Sequence, residues 1–147
     1  DLLAGHLKQL EAGTALRSDG KTLKDLEVIG VANSVLTSDV KAALAAMKPH
    51  VALYVGGMGA KDKNFHKDAM VARGYGEAAD RIQELYLAGR KEEAAAAVPD
   101  EYVDDAALVG PAERIGERFG RWRDAGFTTL RLINAEIPAM EALARAL

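Results

Sequence analysis

Apolar residues near a 3.6-residue period mark the first stretch as a helix. Leu3, Leu7, Leu10 and Leu16 share one side, with His6, Lys8, Gln9 and Glu11 on the other, which predicts a helix over Leu2–Leu16. Ser18-Asp19-Gly20 signals a turn. The pattern then changes. "LEVIGVANSVL", Leu26–Leu36, is a near-continuous apolar run rich in strand formers. Such a run fits a strand buried on both faces, as in a parallel sheet. The helical period returns in "TSDVKAALAAMKPH", with Thr37 or Ser38 as N-cap, Asp39 at the positive helix end, and Val40, Ala43, Leu44 and Met47 as its apolar stripe. Pro49 is expected to interrupt the backbone ladder, with a short helix Val51–Val55 beyond it.

Further on, "DAMVARGYGEAADRIQELYLAGRKEEAAAAV" reads as helices broken near Gly74–Gly76 and at Gly89. Ala79, Ile82, Leu85 and Tyr86 form their inward face, and Glu77 and Arg81 stand at i,i+4 as an ion pair. Pro99 closes that run. Pro111 suits the first turn of a helix carrying Ile115, Phe119 and Trp122, and Gly126 suits its stop. Phe127–Ile133 is a second strand and "PAMEALARAL" a terminal helix. Strand–helix alternation implies parallel pairing. Two strands alone cannot cover the faces and edges of a parallel sheet. The first residue is Asp1 rather than Met, so the expectation is a portion of a longer protein.

The chain has 147 residues, 49% hydrophobic and 28% charged, a globular balance. A net charge of -3 and 5% aromatic residues leave neither an electrostatic footprint nor stacking platforms for nucleic acid. No apolar run approaches the roughly 20 residues of a membrane span. The lack of cysteine excludes disulfides, thiolate metal sites and a Cys nucleophile, and suits a cytoplasmic protein. His6, His50 and His66 are too dispersed for a metal site by spacing, and neither Ser18, Ser34 nor Ser38 sits in a Gly-x-Ser-x-Gly elbow. Arg114, Arg118, Arg121 and Arg123 alternate with Glu113, Glu117 and Asp124, which reads as a solvated, salt-bridged helix face.

"VGGMGAKDKNF" has the glycines of a phosphate cradle but not the spacing. Ala60 separates Gly59 from Lys61, and Asp62 stands where a P-loop needs a hydroxyl. A dinucleotide fingerprint would need a third glycine at Asp62, and no strand runs straight into the segment. A flexible helix-to-helix hinge fits the residues better.

"VALYVGGMGAKDKNFHKDAM", "IQELYLAGRKEEAAAAVPDEYVDDAALVGPAERI" and "WRDAGFTTLRL" resemble the luciferase-like monooxygenase superfamily, and most of all its branch using the deazaflavin coenzyme F420. The resemblance runs from about Leu26 to Ile133. It implies an α/β fold, the C-terminal part of a (β/α)8 TIM barrel. Leu26–Leu36 and Phe127–Ile133 would be about strands seven and eight, with an enlarged helical excursion at about 38–104 and residues 1–147 inside one barrel domain. The implied parent is an oxidoreductase performing hydride transfer or monooxygenation with F420, or alternatively FMN. This piece would supply a pocket wall, a lid and a subunit interface, and would be inactive alone. The implied partners are a small-molecule substrate and further copies of the protein or its missing N-terminal part. The family's glycine-containing phosphate loop after strand six has no counterpart here.

Barrel active sites lie at the C-terminal ends of the strands. On that implication Asn33 and Ser34, near the C-terminal end of the first strand, and Asn134, following the last, become candidate pocket residues. Lys61, Lys63, Asn64 and His66, on the excursion leaving the first strand, become candidates for an anionic cofactor tail or substrate. The alternative is a stand-alone helical binding or assembly domain with no catalytic activity.

Overall fold

The computed structural model describes residues 2–60 and 62–145. They form two compact units, one made of the chain's two ends (Asp1–Leu36 and Ala112–Leu147) and one of its middle (Thr37–Pro111).

The first unit is built on two parallel strands, β1 (Ile29–Leu36) and β3 (Thr129–Ile133). Their register runs from Ile29 opposite Thr129 to Asn33 opposite Ile133. The backbone of Thr128 donates to the Val28 carbonyl at 2.9 Å, and its hydroxyl accepts from the Val28 amide at 2.8 Å, fixing where pairing begins. Helices α7 (Ala112–Asp124) and α8 (Ile137–Ala144) pack on β1. Gly30, Ala32 and Ser34 are buried, as are Ile115 of α7 and Ala139 of α8. Gly30 leaves room for the Phe127 ring, which a Cβ there would press at 3.0 Å and which also packs on Trp122 at 5.6 Å. The alternate residues of β1 are open, with Ile29 51% and Val31 48% exposed. The expectation of burial on both faces is therefore met on one face only within this chain. Helix α1 (Leu2–Thr14) and a 3-10 turn at Leu23–Asp25, closed by a capping box from Thr22 to Asp25, complete the unit.

The second unit is organised around α2 (Val40–Gly57), which packs on α3 (Phe65–Ala72), α4 (Gly76–Leu87), α5 (Lys91–Ala96) and α6 (Asp100–Asp105). Met70, Ile82 and Leu108 are wholly buried in it. Three expectations are corrected here. The N-cap of α2 is Asp39, whose carboxylate accepts from the Ala42 amide at 2.9 Å, while Thr37 supports Asp39. Helix α2 continues through Pro49 instead of restarting at Val51, because the missing hydrogen bond is a local loss and neighbours pack along the whole helix. Arg81 pairs with Glu84 one turn ahead, at 2.8 Å, rather than with Glu77. A strand with no sequence expectation, β2 (Ala107–Gly110), is buried throughout, and its Gly110 carbonyl accepts from the Thr37 amide at 3.0 Å. Gly74 and Gly89 take positive φ at the ends of α3 and α4, where the sequence breaks were expected. Among the described residues no helix is long and apolar enough to cross a membrane.

Candidate functional site

Asn33 and Ser34 are neighbours on a strand, so they serve opposite faces. Ser34 lies with Gly30 and Ala32 on the helix-covered side. It is fully buried, and its hydroxyl has no hydrogen-bond partner. It therefore faces away from Asn33, and the structure does not bring the two together. Asn33 belongs with Ile29 and Val31 on the open side, opposite Ile133 of β3. The first residue beyond β3 is Asn134, in the left-handed region at φ 56. Asn tolerates this better than most residues, since its short amide can bond locally. Its Nδ2 donates to Oδ1 of Asn33 at 3.1 Å. The two carboxamides thus meet where the β1–β3 pairing ends, with β1 running on to Leu36, on a face otherwise lined by Ile29, Val31, Ile133 and the exposed Thr129 and Arg131.

A cleft of about 680 Å³ lies at the other ends of these strands, lined by Leu7, Lys21, Thr22, Lys24, Val28 and Thr128 among others. It is at the wrong end for the site expected of parallel α/β folds.

The remaining candidates belong to the second unit. Gly56 and Gly57 are inside α2, not in a loop. A Cβ on either would run into Tyr86 of α4, so these glycines are a notch for helix packing. Gly59 takes φ 146 in the turn that follows, closed by an Ala60–Lys63 bridge. The phosphate-cradle pattern is thereby accounted for as helix contact plus turn. Lys61 lies outside the described residues. Lys63 is exposed, and its amide donates to the Ala60 carbonyl at 3.0 Å.

Asn64 is 2% exposed and structurally committed. Its Nδ2 donates to the carbonyls of Val55 at 2.8 Å and Tyr54 at 3.2 Å. Its Oδ1 accepts from the amides of His66 and Lys67, capping α3. Both amide hydrogens and both oxygen lone pairs are used, leaving none for a ligand. His66 packs edge-on against Tyr54, with ring centres 4.6 Å apart, and Tyr54 meets His50 on its other side at 4.5 Å. The His50–Tyr54 contact is an i,i+4 relation that the sequence contained and spacing analysis for metal ligands passed over. Among the described residues no group of three or more His, Asp or Glu side chains could hold a metal ion.

A helix-backed parallel strand pair with polar groups at its C-terminal ends defines an α/β protein of the kind that builds its site there. A family model described as luciferase-like monooxygenase matches residues 7–129. The chain belongs to that family. It is also 40% identical over 121 residues, 82% of this chain, to a Mycobacterium tuberculosis (strain ATCC 25618 / H37Rv) protein named "Putative coenzyme F420-dependent oxidoreductase Rv3520c". The aligned region spans 35% of that relative's length. No solved structure matches.

Proposed function

We propose that this chain is the C-terminal portion of one (β/α)8 barrel domain of an oxidoreductase that uses coenzyme F420, or alternatively FMN, for hydride transfer or monooxygenation. One observation carries the reading. β1 and β3 run parallel, helices cover one face, and the other is open, with Ile29, Val31 and Ile133 among Thr129 and Arg131 and a pair of amides where the pairing ends. In a barrel the helices stand outside, apolar side chains fill the lumen, and ligand groups sit at the C-terminal strand ends. β1 and β3 take the places of the last two strands, and the excursion at about 38–104 falls inside the Thr37–Pro111 unit. The relative's name supports F420 as the cofactor.

The donor set suits such a cofactor. Asn33 and Asn134 retain amide groups beyond the bond they share, and Arg131 adds a cation on the same face. The bound cofactor supplies the two-electron chemistry. Asn33 holds the ring, and the apolar face excludes water. Lys61, Lys63 and His66 are our candidates for meeting an anionic tail or substrate by their charge and chemistry, whereas Asn64 fixes the start of α3. We assign the parent a cytoplasmic location, a small-molecule substrate and a homo-oligomeric state, with the excursion as lid and subunit interface.

The test compares the full-length protein with the 147-residue chain by fluorescence titration with F420 and FMN, and by turnover. Binding and turnover by the full-length protein alone is the expected result. Tight binding and turnover by the isolated chain, or no binding by either, would overturn it. The second reading, a helical binding or assembly module, draws on the separate core around Met70 and Ile82. It requires cooperative unfolding of the cofactor-free chain as a monomer or dimer.

A further inference from the structure

The Asn33–Asn134 contact has a property independent of which amide is written as donor. One amide spends its oxygen on the contact and the other spends a hydrogen. The pair therefore keeps one free NH2 and one free C=O, whichever way the two are turned. Neither amide is charged; Ile133 and Val31 stand on the same face, with Arg131 opposite Val31 as its one cation among the described residues. A pair that keeps both a donor and an acceptor suits a ligand edge that offers both an acceptor and a donor. A cyclic amide or imide presents that edge; a carboxylate or phosphate, with acceptors only, does not.

Asn134 also adopts a left-handed backbone that costs a non-glycine residue free energy. Glycine would adopt it without strain, but would bring no amide. What Asn supplies over Gly at this position is the bond to Asn33.

We infer that Asn33 and Asn134 act as one unit that reads the cyclic imide edge of a heteroaromatic ligand, with Asn134 the positioning residue that holds the Asn33 amide in register. This rests on the functional reading above, in which that ligand is the deazaflavin or flavin ring. The test uses the full-length protein and fluorescence titration with F420 and FMN. The proteins are wild type, Asn33→Ala, Asn134→Gly and the double variant, with thermal unfolding of each. Each single change should weaken binding about tenfold, the effect of losing a well-made hydrogen bond. The double variant should bind no more weakly than Asn33→Ala, because a unit already broken cannot be broken twice. Asn134→Gly should keep or raise the unfolding temperature, which separates lost reading from lost fold.

Losses that multiply in the double variant, or single variants that bind like wild type, overturn the pair while leaving the functional reading standing. Binding of neither cofactor by the wild-type protein overturns the functional reading, and the pair's ligand with it.

Discussion

Gly56 and Gly57 differ in what they meet, and the difference can be measured. A Cβ on Gly56 would collide with the Cβ and Cγ of Tyr86 and approach the Ile82 carbonyl. None of these can swing aside without moving α4. A Cβ on Gly57 would meet only ring atoms of Tyr86. Alanine ordinarily favours a helix over glycine by about 1 kcal/mol. Overpacking costs about 1–3 kcal/mol, so at Gly56 the clash wins. Gly56→Ala should lower the unfolding temperature, and Tyr86→Ala should not rescue it, since the Cβ remains. Gly57→Ala should be milder and should lose its penalty in the Tyr86→Ala background. Equal behaviour of the two glycines in that background would refute the notch. Asn64 offers a second contrast. Asn64→Ala removes a cap and strands two carbonyls, and should destabilise by about 2–3 kcal/mol in urea unfolding. Asn64→Asp keeps the cap acceptor but turns a carboxylate toward the Tyr54 and Val55 carbonyls. It should be at least as damaging at pH 7, and a silent Asn64→Asp would show that those two bonds are idle.

At the scale of elements, α2 and α6 are tied by an ion pair between Lys48 and Asp100. The hydrogen bond from Lys48, with its positive charge, holds the Asp100 carboxyl below the usual carboxylate range. A carboxyl lowered in the folded state contributes stability above its unfolded pKa, about 3.9. The contribution fades as pH falls through the lower folded value. The difference in unfolding temperature between wild type and Asp100→Asn should therefore be present at pH 7 and shrink below about pH 4. A difference that grows on acidification would exclude the pair as its source.

The elements also show how far sequence pattern reaches. The two long strands and the breaks at Gly74 and Gly89 were legible because β-branched runs and glycines act locally. The strand Ala107–Gly110 was not, since four residues of Ala-Leu-Val-Gly are too short to carry a period. The continuity of α2 through Pro49 depends on neighbours far along the chain. In the candidate site, Asn33 was legible as a polar residue closing an apolar strand. The near-continuous run hid the phase of β1, and so hid that Ser34 faces the other way. Asn64 looked available because its partners, the Tyr54 and Val55 carbonyls, lie ten and nine residues back on another helix.

For the whole molecule, the open side of the β1–β3 pair decides between a barrel portion and a self-sufficient module. Ile29, Val31 and Ile133 are 51%, 48% and 37% exposed on one face, opposite Thr129, Arg131 and Asn33 respectively. The outer edge of β3 has no strand beside it among the described residues. Exposed apolar side chains next to an unpaired edge are what a barrel closes and what an isolated sheet must bury by other means. The 147-residue chain alone should therefore self-associate, eluting ahead of a monomer in size exclusion and more so as concentration rises. Ile29→Thr with Val31→Thr keeps β-branched residues in the strand while removing apolar surface, so it should shift the chain toward monomer without loss of strand signal in circular dichroism. In the full-length protein the same two changes fall in a packed lumen, and should destabilise by about 1–3 kcal/mol each through hydroxyls buried without partners. Opposite signs in the two settings, better behaviour of the piece and worse behaviour of the whole, are what a lumen face requires. A chain that is monomeric from the outset and indifferent to both substitutions would instead mean that the open face needs no cover, and the case for a self-contained helical module would follow.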